Sequence, residues 1–142
     1  MQTDPTLGAW PPAVIYAIVI AVTLLSALIL WIWVKTRPVP GEHVFRASRL
    51  SRGNRIFPSQ VIITPDSLTH YKPQWIGKLE ESIHLAHVAS IKIDTNLLFA
   101  DVYIESSGGH NPVVCYGHTK GDAVQIKKIL EQFQSTHYRS KA

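Results

Sequence analysis

The sequence predicts an α+β protein in two parts. The first is one N-terminal transmembrane helix. The second is a seven-stranded antiparallel, partly open barrel capped by a C-terminal α-helix. Three observations predict it. Residues 13–34 form an uncharged apolar run. The stretch after residue 43 breaks into short segments of period-two patterning separated by turn residues. Near the C-terminus the period changes, with Ala123, Ile126, Leu130 and Phe133 at helical spacing. The expected division is a short extracytoplasmic N-terminus (1–12), the helix (13–34), a juxtamembrane linker (35–42), the folded domain (43–138) and a tail (139–142).

The helix comes first because its physics is the most restrictive. About 20 apolar residues at 1.5 Å rise cross a hydrocarbon core of roughly 30 Å. Lipid offers no partner to an open backbone, so a single segment crosses only as a helix. Pro11 and Pro12 suit a first turn. Trp10 at one end, and Trp31 and Trp33 at the other, suit the headgroup level. A cleaved signal peptide needs a basic leader and an apolar core of about 7–15 residues. Residues 1–12 hold no Lys or Arg, and this core is longer. Lys35 and Arg37 follow the run at once, so the positive-inside rule expects the N-terminus outside and residues 35–142 in the cytoplasm. The lone Cys115 agrees, since a disulfide framework needs paired cysteines. Ala13, Ala17 and Ala21 lie at four-residue spacing, a face on which another helix packs closely. Thr23 and Ser26 are expected to bond their own i−4 carbonyls.

Composition over 142 residues is 46% apolar and 17% charged, with a net charge of +4. These averages exclude collagen-like and long disordered chains, and the length excludes a multidomain enzyme. The charge is not spread evenly. Residues 35–55 carry Lys35, Arg37, Arg46, Arg49, Arg52 and Arg55 against Glu42, and residues 56–142 balance. A nucleic-acid binder spreads its basic stripe over the folded domain, so no nucleic-acid partner is expected. A basic collar beside the membrane fixes orientation, and it makes Arg46, Arg49, Arg52 and Arg55 candidates for contact with anionic lipid.

The strands follow in order. Residues 43–50 form the first and residues 56–64 the second, with Val61, Ile62 and Ile63 at its centre. Pro65 sits at the second position of the turn Thr64-Pro65-Asp66-Ser67. Residues 68–72, 79–85 and 88–95 follow, with Ile83, Leu85, Ile91 and Ile93 inward. Residues 101–106 and 112–116 flank a hairpin turn at 107–111. Thr119 followed by Asp122 resembles a capping box opening a helix of about 16 residues. Seven short strands leave open edges and an open core mouth, which a terminal helix covers. An all-β sandwich does not account for that helix.

These residues also resemble bacterial pleckstrin-homology-like (PH-like) domains. The likeness is carried by Glu81-Ser82-Ile83-His84-Leu85 with Val88-Ala89-Ser90-Ile91. It is also carried by the stretch from Leu97 to Glu105 leading into Gly108-Gly109, and by Gly117-His118-Thr119-Lys120. The resemblance covers about residues 41–136. It implies membrane attachment at the inner (cytoplasmic) membrane and scaffolding or complex assembly without catalysis or cofactor. The expected partners are the membrane and other membrane-protein subunits. The Lys/Arg pattern of inositide-binding PH domains is not present in Arg49-Leu50-Ser51-Arg52-Gly53-Asn54-Arg55, so generic anionic contact is expected there.

Chemistry is sparse. No HExxH, CxxC, Walker loop or GxSxG occurs. His84 and His87 are three apart on an extended segment and are not expected to converge. Cys115 reads as a core thiol. Trp75, in a loop after Pro73-Gln74, and the apolar run Leu97-Leu98-Phe99 are candidate partner surfaces. The expected function is that of an accessory or scaffolding subunit of a membrane complex, with anionic-lipid binding as the alternative.

Overall fold

A computed structural model describes residues 10–109 and 111–141. The expected extracytoplasmic segment up to residue 9, and His110 in the expected hairpin turn, lie outside the described residues. The chain divides into two units at Val34/Lys35.

The first unit holds α1, Pro12–Lys35, whose last residue is counted with the second unit. It is 24 residues long, with a mean hydropathy of 2.8 over its most apolar window, and no part of that window is buried. It is therefore long and apolar enough to cross a membrane. The Thr23 hydroxyl donates to the Val19 carbonyl at 2.8 Å and Ser26 to Val22 at 2.7 Å. Both polar groups are thus satisfied within the helix.

The second unit holds seven antiparallel strands in two sheets. β1 (His43–Arg46), β2 (Gln60–Ile63), β3 (Ser67–Pro73) and β4 (Lys78–His84) pair in sequence order. A single 3-10 turn over Leu85–His87 leads to β5 (Val88–Thr95), β6 (Ala100–Ser106) and β7 (Val113–His118), again paired in order. α2, Lys120–Lys141, closes the chain. The order is compatible with the PH-like plan.

Alternation decides what goes inside. Ala100, Val102 and Ile104 on β6 are fully buried. They meet Val61 and Ile63 from β2, Leu68 from β3, and Val113 and Cys115 from β7 in one core. Ala123, Ile126 and Leu130 of α2 complete that core, each fully buried. Ile83, Ile91 and Ile93 pack at its margin, half-buried. The helix is bonded as well as packed, because Gln134 Nε2 donates to the carbonyls of Leu85 and Val88 at 3.3 and 3.0 Å. At its start the Thr119 hydroxyl accepts the Asp122 amide at 3.1 Å.

Three boundaries differ from expectation by four residues or more. The first strand ends at Arg46, not residue 50. Beyond Ala47 the chain leaves β2, and the Ser48 amide donates to Gly117 on β7. The second strand begins only at Gln60. Pro58 has no amide to give a ladder, and Ser59 donates its amide to Asn54 Oδ1 at 3.1 Å. α2 runs to Lys141, 22 residues rather than about 16. Gln134 ties the added turns to Leu85 and Val88, and Ser135, Thr136 and Ser140 each bond a carbonyl of the helix itself.

Candidate functional site

The segment expected to be a linker is held by the soluble unit. Lys35 Nζ donates to the Trp75 carbonyl at 2.8 Å and lies 5.8 Å from the centre of the Phe57 ring. Gln60, fully buried, reads the backbone on both sides of Pro38. Its Nε2 donates to the Arg37 carbonyl at 3.1 Å, and its Oε1 accepts the Val39 amide at 2.9 Å. Thr36 is buried, and its hydroxyl accepts from Arg49 at 3.1 Å. Pro38 and Pro40 stiffen this segment, as the sequence indicates. The docking itself depends on Gln60, more than 20 residues away.

The four arginines of the collar separate. Arg46, on β1 opposite Gln60, is half-buried. Its Nε and one terminal nitrogen are buried without a hydrogen-bond partner. Burial, and then the neighbouring Arg49, lower its pKa. Arg49 is engaged by Thr36. Arg52 and Arg55 are exposed in the loop between β1 and β2.

That loop is knotted onto β7. Asn54, buried, donates through Nδ2 to Ser51 Oγ at 2.8 Å and to the Tyr116 carbonyl at 3.2 Å. Gly117 donates its amide to Asp101 Oδ1 at 2.7 Å and has φ +74°, a left-handed backbone that favours glycine. The knot holds one wall of a cleft of about 640 Å³ whose lining includes Gly53, Arg55, Phe57, Lys72, Trp75 and Ile76. Among the described residues, no acidic side chain lines it.

Two turns display apolar side chains. Trp75 and Ile76 stand at the turn between β3 and β4, 53% and 93% exposed. The Trp75 ring meets Phe57 edge-on, with centroids 5.1 Å apart, so this side chain is braced on the fold while over half of it faces outward. Leu97 and Leu98 stand at the turn between β5 and β6, 88% and 71% exposed. Phe99, half-buried, closes that turn by accepting the Asn96 amide at 2.8 Å. Trp10 just before α1, Trp31, Trp33 and the row Ala13, Ala17, Ala21 on it, and Arg37 just beyond it are all exposed.

The interior holds titratable groups of a different kind. Cys115 is fully buried, and burial pushes its thiol up to about 12, so it stays a protonated core residue. His118 is fully buried with neither ring nitrogen bonded, and burial lowers its pKa to about 4. His70 is lowered in the same way, opposed in part by Glu81, whose carboxylate is 3.7 Å from Nδ1.

His84 and His87 come closer than their spacing implies, with ring centroids 6.0 Å apart. The 3-10 turn bends the chain between them. His137 of α2 approaches His84 at 6.2 Å. Among the described residues, no group of three or more His, Cys, Asp or Glu is placed to hold a metal ion. Compared with family models, with curated proteins and with solved structures, the chain finds no match.

Sequence reasoning passed over Gln60, Asn54, Gly117, Lys72 and Ile76. Only Ile76 carried a local signal, an isoleucine beside Trp75 in a turn where polar residues are the rule. The others act through partners distant along the chain.

Proposed function

We propose that this chain is a single-pass membrane protein of the cytoplasmic membrane, N-terminus outside. Its PH-like soluble unit serves as a non-catalytic accessory or scaffolding subunit of a membrane-protein complex. The observation that carries the reading is the Leu97–Leu98 pair, held outward by a closed two-residue turn. Each exposed leucine forgoes about 1.5–3 kcal/mol of burial, which a partner's cytoplasmic surface supplies. The Ala13/Ala17/Ala21 face offers a second contact, to a partner helix.

The full chain, extracted from native membranes in gentle detergent, is expected to carry a stoichiometric membrane protein. The double substitution Leu97→Ser, Leu98→Ser is expected to reduce that partner's recovery at least tenfold while leaving the fold intact. A solitary monomer, or equal recovery with the double variant, overturns the reading.

A second reading is favoured by one observation. Arg55 and Lys72 line a cleft free of acids, with Arg52 exposed on the same loop. Anionic phospholipid headgroups fit that charge. The purified full chain in mixed micelles should retain anionic over zwitterionic phospholipid. The preference should weaken with salt, because screening at 0.1 M acts over about 10 Å. The double substitution Arg52→Ala, Arg55→Ala should abolish it. Equal retention of both lipids at low salt ends this reading.

A further inference from the structure

The turn between β3 and β4 joins two outward apolar side chains to a cleft lined by cations. Pro73 and Lys78 form the last paired rung of the two strands. Gln74 donates its amide to the Gly77 carbonyl at 3.3 Å, and Gly77 has φ +82°. A turn closed in this way is stiff and throws its two central side chains outward. Those two are Trp75 and Ile76. Stiffness matters because an apolar tip on a mobile loop folds back onto the nearest apolar surface, whereas Ile76 remains 93% exposed. Ile56, on the neighbouring loop and also exposed, lines the same cleft.

The position of this tip follows from contacts inside the soluble unit. The Trp75 carbonyl accepts a hydrogen bond from Lys35, and Lys35 is the first charged residue after the apolar run of α1. Its ammonium also lies 5.8 Å from the Phe57 ring, the same ring that meets Trp75 edge-on. The turn is therefore one lysine side chain and one hydrogen bond from the residue where the apolar run ends. The headgroup layer extends roughly 5–8 Å beyond the hydrocarbon on each side. That reach and that layer are of the same size. At a bilayer surface a lysine ammonium stays at headgroup level while its stem lies along apolar neighbours.

We infer that Trp75 and Ile76 form a wedge that enters the headgroup–acyl boundary of the membrane α1 crosses, seating the soluble unit on the bilayer surface. The inference rests on the reading of α1 as a membrane span. The chemistry of the tip fits that one occupant. Tryptophan is enriched at interfaces because its ring is apolar and its N–H is polar. Isoleucine supplies the apolar body. The cations beside the tip are Arg55, Lys72 and Lys78, the last paired with Glu80, and among the described residues no acidic side chain lines the cleft, a balance that favours an anionic leaflet. The Leu97–Leu98 tip has no such neighbourhood. Asp94 and Asp101 form a facing pair on the strands just below it, charges that oppose contact with an anionic leaflet.

The test places single cysteines in the full chain carrying Cys115→Ala, reconstituted in vesicles with spin-labelled lipids at graded depths. Each cysteine carries an environment-sensitive fluorophore. Ile76→Cys is expected to show blue-shifted emission quenched most by shallow labels. Leu97→Cys is expected to show water-like emission without quenching. Leu25→Cys, within α1, is expected to be quenched by deep labels and reports on the span itself. Water-like emission at 76 with deep quenching at 25 overturns the wedge and leaves the span standing. Water-like emission at both positions overturns both. Equal quenching at 76 and 97 also overturns the wedge, because it indicates adsorption without orientation. Since replacement of Cys115 touches the core, the same reading is repeated in the Cys115 chain with Trp75→Phe alone and with the pair Trp75→Phe, Ile76→Trp. There the loss of quenched indole signal from Trp75, and its recovery from position 76, is expected. No change in either overturns the wedge.

Discussion

Gly117→Ala, on β7, is expected to destabilise the second unit by about 3–5 kcal/mol. Two causes act together. The residue has φ +74°, where an added Cβ costs roughly 1–2 kcal/mol. That Cβ would also fall 2.0 Å from Ser51 Oγ and 2.4 Å from Ser51 Cβ. Ser51 has little room to retreat. It is buried, its amide and hydroxyl both bond the Ser48 carbonyl, and Asn54 donates to its oxygen. Relief requires lifting the whole loop that Asn54 ties to Tyr116. Against a total stability of about 5–15 kcal/mol, that is a large share. Denaturant unfolding of the full chain in detergent, followed by near-ultraviolet circular dichroism, measures it. The pair Gly117→Ala, Ser51→Gly is expected to recover the steric part and retain the backbone part. Additive losses in the double variant would show that the two sites do not meet.

Acid is expected to cost the soluble unit about 3 kcal/mol through His118 alone as pH falls from about 6.5 to about 4. In the unfolded chain the imidazole takes up its proton near 6.5, while in the folded chain burial delays uptake to about 4. Between those values the unfolded state holds the extra proton, so each step toward acid favours unfolding. The contribution is complete above the unfolded value and is lost as pH falls through the folded one. The groups facing His118 do not reverse this. Asp122 and Asp101 favour the charged form, His70 opposes it, and burial outweighs all three. His70, lowered by its own burial, adds a loss of the same sign. His118→Leu removes a ring whose nitrogens have no partner among the described residues, so stability near neutral pH is expected to hold or rise slightly. The slope between pH 6.5 and 4 is expected to flatten. An unchanged slope in the variant would assign the acid sensitivity elsewhere.

The parts of the fold that were legible are those whose signal is local. An uncharged apolar run shows itself without reference to any other residue, and α1 occupies it with one residue more at each end. Val102 and Ile104, or Ala123, Ile126 and Leu130, carry their burial in their spacing. The first two strands were overextended for a reason that is also local. The sequence reading extends them over residues 47–50 and 56–59, but Ser48, Ser51 and Asn54 bond the backbone themselves and pull it out of the ladder.

Charge was legible as a sum and not as a surface. Residues 35–55 hold six bases in one row of text. The fold buries part of Arg46, commits Arg49 to Thr36, and leaves Arg52 and Arg55 exposed. Nothing in the spacing of these four residues separates them.

Sequence alone determined the inventory: one apolar helix, seven strands, one amphipathic helix, and a basic stretch between the first helix and the first strand. It could do so because hydrophobic periodicity and turn chemistry are set by neighbours within a few positions. The tertiary structure decided which polar groups hold the pieces together. Lys35 meets Trp75 across 40 positions, Gln60 grips residues 37 and 39 across more than 20, and Asn54 reaches Tyr116 across 62. A hydrogen bond acts over about 3 Å of space and is indifferent to distance along the chain. Such pairs leave no period to read, and they exist only once the sheets and the closing helix have brought their partners together.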